Sequence, residues 1–390
     1  MTDQFINSAI ATSVYVHIPF CRRRCFYCDF PVSVVGDNSR GETSNSISQY
    51  VRVLQSEIST APVFGQPLKT IFFGGGTPSL LSVQQLQVII ESLASRFGIS
   101  TGAEISLEMD PGTFDLAHLQ GYRLAGVNRV SLGVQAFQDE LLKVCGRSHS
   151  VSDILTAVEL IQEVGVPEFS LDLISGLPHQ SLETWQESLE KAVALSPTHI
   201  SIYDLTIEQG TAFGRYYRPG VQPLPTDDTT VKMYQIAQQV LTSAGYEHYE
   251  ISNYALGGHQ CRHNRVYWEN RPYYGFGMGA ASYVDGKRFT RPRKTKEYYT
   301  WVEAGCVIDC PPTSENESLL ETLMLGLRLS EGVSLSAVSD ETQQKIEKCL
   351  QPYFKQGWVE VVEGRLRLSD PEGFLFSNVV LATLFEKLEE

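Results

Sequence analysis

Residues 14–30 read VYVHIPFCRRRCFYCDF. A β-branched run reaches a proline, and Cys21, Cys25 and Cys28 follow with three and then two residues between them. Thiolates at this spacing, in a loop just past a strand, can converge on one metal centre. A tetrahedral structural zinc wants a fourth Cys or His nearby, and His17 lies inside the strand pattern rather than beyond it. An iron–sulfur cluster of four irons held by three cysteines leaves one iron open to an outside ligand, which makes a reactive site. Zinc, or three packed cysteines, is the alternative reading of the same residues.

Outward from this loop, short β-branched runs alternate with helical patterns from Ser13 to about Leu205. The runs are SVYVHI, TIFF, EISLEM, RVSLGV, EFSLDLI and HISIYDL. Between them Ser82 and Gln85 form a capping-box pattern before Val83, Leu86, Ile90, Leu93 and Phe97, and Ser181 opens a helix with Leu182, Trp185, Leu189 and Val193 on one face. Such repeats of about 30 residues imply parallel strands with right-handed crossovers, an α/β fold in which an open or closed β/α barrel is favoured over a sandwich; a doubly wound sheet fits the same pattern. The run FFGGGTPS closes the second unit at a strand's C-terminal end, the rim that carries the chemistry in β/α barrels, and its glycines let backbone approach a ligand. Residues 31–47 and 210–225 read as irregular, Thr226 and Asp227 cap a helix to about Ala244, and residues 246–312 are aromatic and glycine-rich. Beyond Thr313, helices at Ser318–Leu329 and Glu341–Lys355 and a hairpin turning at Glu363-Gly364 predict a winged-helix-like α+β domain. The expected domains are 1–225, 226–312 and 313–390.

The chain has 390 residues and a formal net charge of −14, which excludes a general attraction to nucleic acid or anionic lipid. The C-terminal module holds 7 basic and 14 acidic residues, so its winged-helix pattern does not argue for DNA binding. The first twelve residues lack Lys, Arg and an apolar core and do not read as a secretory signal, and FLFSNVVLATLF is too short to span a bilayer. Eight cysteines without such a signal point to a reducing cytoplasm, where thiols serve metals or chemistry; Cys145, Cys306, Cys310 and Cys349 read as scattered small hydrophobes.

CRRRCFYC and GGGTP together resemble the radical S-adenosylmethionine (SAM) superfamily. VHIPFC, GGGTPSLL, LEMDPGT, NRVSLGVQ, LDLISGLP and HNRVYW are similar, more narrowly, to the branch that holds anaerobic coproporphyrinogen III dehydrogenase and the HemW-type haem chaperones. The resemblance implies a partial (β/α)6 barrel and a [4Fe-4S] cluster on Cys21, Cys25 and Cys28 whose fourth iron takes SAM, with Tyr15, Tyr27, Gly75, Gly76, Thr77, Glu108, Gln135, Arg147 and Asp172 around the cofactor. Glu108, Gln135 and Asp172 end predicted strands, where a barrel mouth would lie, although polar groups there also serve structure alone. Asp29 and Phe30 follow Cys28 where the dehydrogenase has Gly and a fourth Cys, few residues precede Cys21, and HNRVYW carries the HNxxYW pattern of the chaperones, so the resemblance favours the chaperone over oxidative decarboxylation of coproporphyrinogen III.

A haem ligand is also expected within this motif. His263 precedes Tyr267 and Trp268, with Tyr273, Tyr274 and Phe276 behind, which offers an imidazole and an aromatic platform; Cys261 is a rival or helper ligand. The implied partners are haem, a haem donor, apo-haem acceptors such as membrane respiratory proteins, and a one-electron reductant. The resemblance adds exchange between monomer and homodimer, and whether SAM is turned over stays open.

Overall fold

Period-two alternation shapes the sheet. In the computed structural model, which describes residues 10–37, 39–63, 65–336 and 338–388, β1 (Ser13–Ile18) leads into the short parallel pair β2 (Phe20–Cys21) and β3 (Ser33–Val34). The segment read as lacking a secretory signal falls mostly on residues 1–9, outside the described residues. Strands β4 (Leu68–Gly75), β5 (Ile99–Met109), β6 (Arg129–Gln135), β7 (Glu168–Ser175) and β8 (His199–Asp204) then run parallel beside β1, in that order.

Their odd and even residues go to different surroundings. Val14, Val16, Ile71, Phe73, Ile105, Leu107, Val130, Leu132, Leu171, Leu173, Ile200 and Ile202 are buried in one apolar core. On the other face the register aligns Tyr15 with Phe72, Glu108 with Ser131, Gly133 with Asp172, and Asp172 with Ser201. One face of every strand is therefore oil and the other is hydrogen-bonding chemistry.

Six crossover helices cover the apolar face: α1 (Asn45–Thr60), α2 (Val83–Phe97), α3 (Leu116–Leu124), α4 (Asp139–Val144), α5 (Val151–Val164) and α6 (Leu182–Ala194). The capping box at Ser82 and Gln85 is present, and Ser181 caps α6 by accepting from the Thr184 N–H. Trp185 on α6 is fully buried, with its indole N–H donating to the Met233 carbonyl at 2.8 Å. Helix α1 begins inside the stretch read as irregular, since Ser44 caps it.

Helices α7 (Ala212–Tyr216) and α8 (Asp227–Ser243) lead to β9 (Glu247–Glu250) and β10 (Asn253–Ala255), which extend the sheet antiparallel beyond β8. Helix α9 (Arg262–Trp268) follows, and β11 (Tyr274–Phe276) pairs in parallel with β1 at the opposite edge. The sheet is thus nine strands wide and open between β9 and β11, a partial barrel. The hairpin β12 (Ala281–Val284) and β13 (Lys287–Thr290) and helix α10 (Thr295–Glu303) pack beyond β11.

The C-terminal part has its own core. Helix α11 (Glu315–Gly326), β14 (Val333–Ser334), α12 (Asp340–Gln356), β15 (Val359–Val362), β16 (Arg365–Leu368), α13 (Glu372–Leu375) and α14 (Ser377–Leu388) gather Leu323, Ile346, Leu350, Leu366 and Val380 around the sheet β14-β16-β15. The β15–β16 turn has positive φ at both Glu363 (51°) and Gly364 (75°), the form that matches strand twist. Backbone bonds from Ile251 N–H to the Arg328 carbonyl (3.1 Å) and from Ser330 N–H to the Tyr249 carbonyl (3.0 Å) fasten this part to the β9 edge. Ile346→Ala, at a fully buried position, is expected to cost about 2–5 kcal/mol. Val361→Ala on the exposed strand face is expected to stay within roughly 0.5 kcal/mol. Urea unfolding compares the two, and equal losses would contradict this placement of the core.

Candidate cluster and cofactor site

The cysteine loop leaves the sheet at the end of β1 and is fastened by its own arginines. Arg24 donates to the carbonyls of Cys28 (3.2 Å) and Phe30 (3.1 Å), Arg22 to that of Gly112 (2.8 Å), and Arg23 pairs with Asp37. The Phe26 N–H reaches the Cys145 carbonyl at 3.0 Å, and Tyr27 packs against Phe213. The three intervening arginines therefore order the loop.

Cys21, Cys25 and Cys28 are free thiols, half-buried, on the wall of one cavity of about 480 Å³ at the C-terminal ends of the strands. That volume lies in the range of small-molecule sites. Burial, reinforced by Asp110, pushes the Cys21 thiol up to about 12, and burial also raises Cys28. Such thiols ionise when a cation reaches them, so the donor set suits a positively charged metal centre. Among the described residues no three His, Cys, Asp or Glu side chains are gathered for a single ion. A tetrahedral structural zinc takes four protein donors, whereas a multi-iron cluster needs one sulfur at each protein-held corner.

Gly75, Gly76, Thr77, Glu108, Gln135, Arg147, Asp172 and Tyr27 line the same cavity. Glu108 lies at the end of β5, where burial first, then Asp172 and Asp110, push its carboxyl up to about 8 against the Gly75 N–H it accepts at 2.9 Å. It is largely neutral at pH 7 until a cation arrives. Asp172 is also raised by burial, and it accepts from Ser131 (2.8 and 3.0 Å) and Ser170 (3.2 Å). Arg147 donates to the Gly133 carbonyl at 3.0 Å, contacts Cys25 Sγ at 3.4 Å and pairs with Asp110. Burial opposes its charge, but Asp110, Cys25 and Tyr27 more than offset this and hold it cationic.

The glycines that line the cavity also allow close packing of the protein behind it. A Cβ on Gly75, at φ +110°, would meet the His17 ring at 2.3 Å, and one on Gly76 would meet the Phe20 carbonyl at 2.7 Å. The space they leave is filled by protein, and the Gly75 N–H is engaged by Glu108. Reading the sequence also missed Asp110, which accepts from Thr77 Oγ1 at 3.0 Å, and Gly133, whose missing side chain leaves room for Asp110 and Arg147. The signal for Asp110 was its place two residues beyond Glu108 in LEMDPGT.

Tyr15 and His263 do not line the cavity. The Tyr15 hydroxyl donates to His17 Nδ1 at 3.0 Å, while His17 Nε2 donates to the Pro31 carbonyl at 3.2 Å. Helix α9 sits at the other end of the strands, where the His263 N–H donates to Glu104 and its Nδ1 bonds Thr70 Oγ1 at 2.8 Å. Thr70 precedes Gly74 by four residues on the same strand, roughly 13 Å. His263 Nε2 bonds the Tyr267 hydroxyl at 2.8 Å, and the ring is fully buried against Phe72. Burial, with Arg271 adding to it, holds its pKa down to about 3. With both ring nitrogens bonded in this way, a haem at His263 would take the place of the Thr70 or the Tyr267 hydrogen bond. Cys261 is buried beside Glu104.

Residues 15–192 match the radical SAM superfamily and residues 313–376 the HemN C-terminal domain. The heme chaperone HemW of Synechocystis sp. is 47% identical, with 97% of each chain covered. The heme chaperone HemW of Escherichia coli is 36% identical over 95% of this chain and 97% of its own, and that of Bacillus subtilis 34% identical over 96% and 100%. The solved coproporphyrinogen III oxidase (HemN) of Escherichia coli superposes with a TM-score of 0.82 over 97% of this chain and 92% of that one, at 22% identity, a likeness of fold. With its thiol triad, open α/β sheet and full-length likeness to these relatives, the chain belongs to the HemW-type haem chaperone family of the radical SAM superfamily.

Proposed function

We propose that this protein accepts haem and delivers it to acceptor haem proteins, with a [4Fe-4S] cluster on Cys21, Cys25 and Cys28 and SAM in the cavity beside them. The full-length identity to HemW proteins carries the chaperone part of this reading, and the thiol triad facing Glu108 carries the cofactor part. When bound, the cluster and SAM supply one-electron reductive chemistry at the open iron.

The chain's own residues prepare the place for both. Arg147 holds the cysteine loop over the strand ends through Cys25, Gly133 and Asp110. Glu108 Oε2 is fixed by the Gly75 N–H, while Oε1 has no partner among the described residues and is free for an ammonium or hydroxyl group. Asp172, held by serine hydroxyls, adds a second acceptor for a sulfonium-bearing ligand. Among the described residues no helix is long and apolar enough to cross a membrane, and we place the protein in the cytoplasm. There it works with a haem donor, a one-electron reductant and apo-acceptors such as membrane respiratory proteins, in monomer–homodimer exchange.

Anaerobic reconstitution tests the cofactor part. Iron is expected near four per chain, and Cys21→Ser, Cys25→Ser or Cys28→Ser each to lose most of it together with the broad iron–sulfur absorbance. Iron that survives these substitutions would remove the cluster assignment. Cluster-loaded protein should then take up haem and pass it to an apo-acceptor, and failure of both would end the chaperone reading.

Glu108 makes binding depend on pH. Below about 8 its carboxyl is protonated, so a cationic ligand must displace the proton. SAM affinity is therefore expected to rise with pH, by at most about tenfold per unit, and to level off above 8. Glu108→Gln should flatten that rise in equilibrium binding; an unchanged slope would assign the titration to another group.

A further inference from the structure

A line of buried polar side chains crosses the sheet from the cofactor cavity to helix α9. Asp172, on β7, lines the cavity. Two residues earlier on the same strand face, the Ser170 hydroxyl donates to it at 3.2 Å and lies 2.8 Å from Nδ1 of His199, its register partner on β8. His199 Nε2 is 2.9 Å from the Tyr249 hydroxyl on β9, and that oxygen accepts the Cys261 N–H at 3.4 Å. Cys261 is the N-cap of α9 and makes no side-chain cap bond, while the next two N–H groups, of Arg262 and His263, go to Glu104 at 3.1 and 2.9 Å. Ser170, His199, Tyr249 and Cys261 are all buried, so these bonds are made in place of hydration.

With Asp172 ionised, the donors and acceptors along this line can be ordered in one way only. A carboxylate accepts and never donates, so the single Ser170 proton points to Asp172 and the serine oxygen must accept from His199. Burial, with Arg129 adding to it, holds His199 well below its ordinary pKa and hence neutral, so a ring with Nδ1–H has Nε2 as its acceptor. Tyr249 then donates to Nε2 and keeps its oxygen for the Cys261 N–H. A protonated Asp172, which burial favours, admits a second order. The acid donates to a serine, Ser170 turns its proton to His199 Nδ1, and the ring carries Nε2–H instead. The Tyr249 oxygen is then divided between two N–H donors, and its own proton has no other acceptor among the described residues. The bond that reaches α9 therefore depends on the charge at Asp172.

We propose that His199 is a positioning residue whose tautomer couples the cofactor cavity to α9: a cationic ligand that keeps Asp172 ionised selects Nδ1–H and fastens the first turn of the helix carrying HNRVYW. The inference rests on the cofactor part of the proposed function and gives it a route to the segment expected to take haem. Linkage makes the effect reciprocal, so a ligand that orders α9 also tightens binding beside Asp172.

Cluster-loaded full-length protein is studied anaerobically with and without SAM by hydrogen exchange and by nitrogen NMR of isotope-labelled histidines, His199→Gln supplying the assignment. SAM is expected to slow exchange several-fold at the amides that open α9, Cys261 foremost, and to hold the His199 signal at the Nδ1–H tautomer. Tyr249→Phe, which touches neither the cavity nor Asp172, is expected to bind SAM as the wild type does and to lose that slowing. The tautomer is read in wild-type protein and needs no variant to fold. SAM bound with exchange at α9 unchanged, the same slowing in Tyr249→Phe, or His199 as Nε2–H in the SAM complex would each overturn the coupling and leave the chaperone reading intact. No SAM binding by the wild-type chain would overturn both the coupling and the cofactor reading beneath it.

Discussion

Arg147 is the group on which the candidate site depends. One guanidinium touches Cys25, the Gly133 carbonyl and Asp110, and Asp110 in turn accepts from Thr77. It thereby joins the cysteine loop to the ends of β4, β5 and β6. Its side chain is 7% exposed, and removing one member of so buried a pair typically costs about 3–5 kcal/mol, because the other charge is left without a partner. The loop would lose its register on the sheet with it.

The same geometry sets the electrostatics. The cavity collects Glu108, Asp110 and Asp172 and three thiols around Arg147. Burial and mutual repulsion raise Glu108, and burial raises Cys21, Cys28 and Asp172, so protons stand in for missing cations. A cationic centre at the thiols and a cationic ligand beside Glu108 relieve the same strain from two sides. The loop's arginines are each engaged by backbone or by Asp37 rather than by these carboxyl groups.

The six parallel strands could be read from the sequence because each alternates apolar and polar residues over a long enough run. The cysteine triad, Glu108 and Asp172 could be placed for the same reason: they end those runs. Strands β9, β10 and β11 could not be found, being three or four residues long and decided by pairing with β8 and β1. Asp110 was overlooked because its role comes from Arg147, 37 positions away. The partners of His263 could not be read either, because a histidine among aromatics has the same sequence whether its nitrogens are open or, as here, bonded to Thr70 and Tyr267.

Between the cysteine cavity and a second cleft of about 270 Å³, lined by Arg291, Phe289 and Trp301, runs one chain of hydrogen bonds. On the cluster side the Pro31 carbonyl accepts from His17, whose own carbonyl accepts from the Tyr50 hydroxyl at 2.7 Å. Tyr50 accepts from the Met278 N–H at 3.0 Å, and the adjacent Gly277 N–H donates to Glu57 at 2.8 Å. Glu57 also takes the Tyr298 hydroxyl at 2.6 Å and holds Arg291 at the base of the second cleft. His17, Tyr50, Glu57, Tyr298 and Arg291 are all buried, so each bond exists in place of hydration and each group is costly to leave unpaired. Burial keeps His17 neutral, with a pKa near 4, so this arrangement persists through the physiological range. This hydrogen-bonded chain therefore behaves as one rigid wall, and the strand pair β1–β11 that carries it fixes the position of the cysteine loop relative to the aromatic cleft.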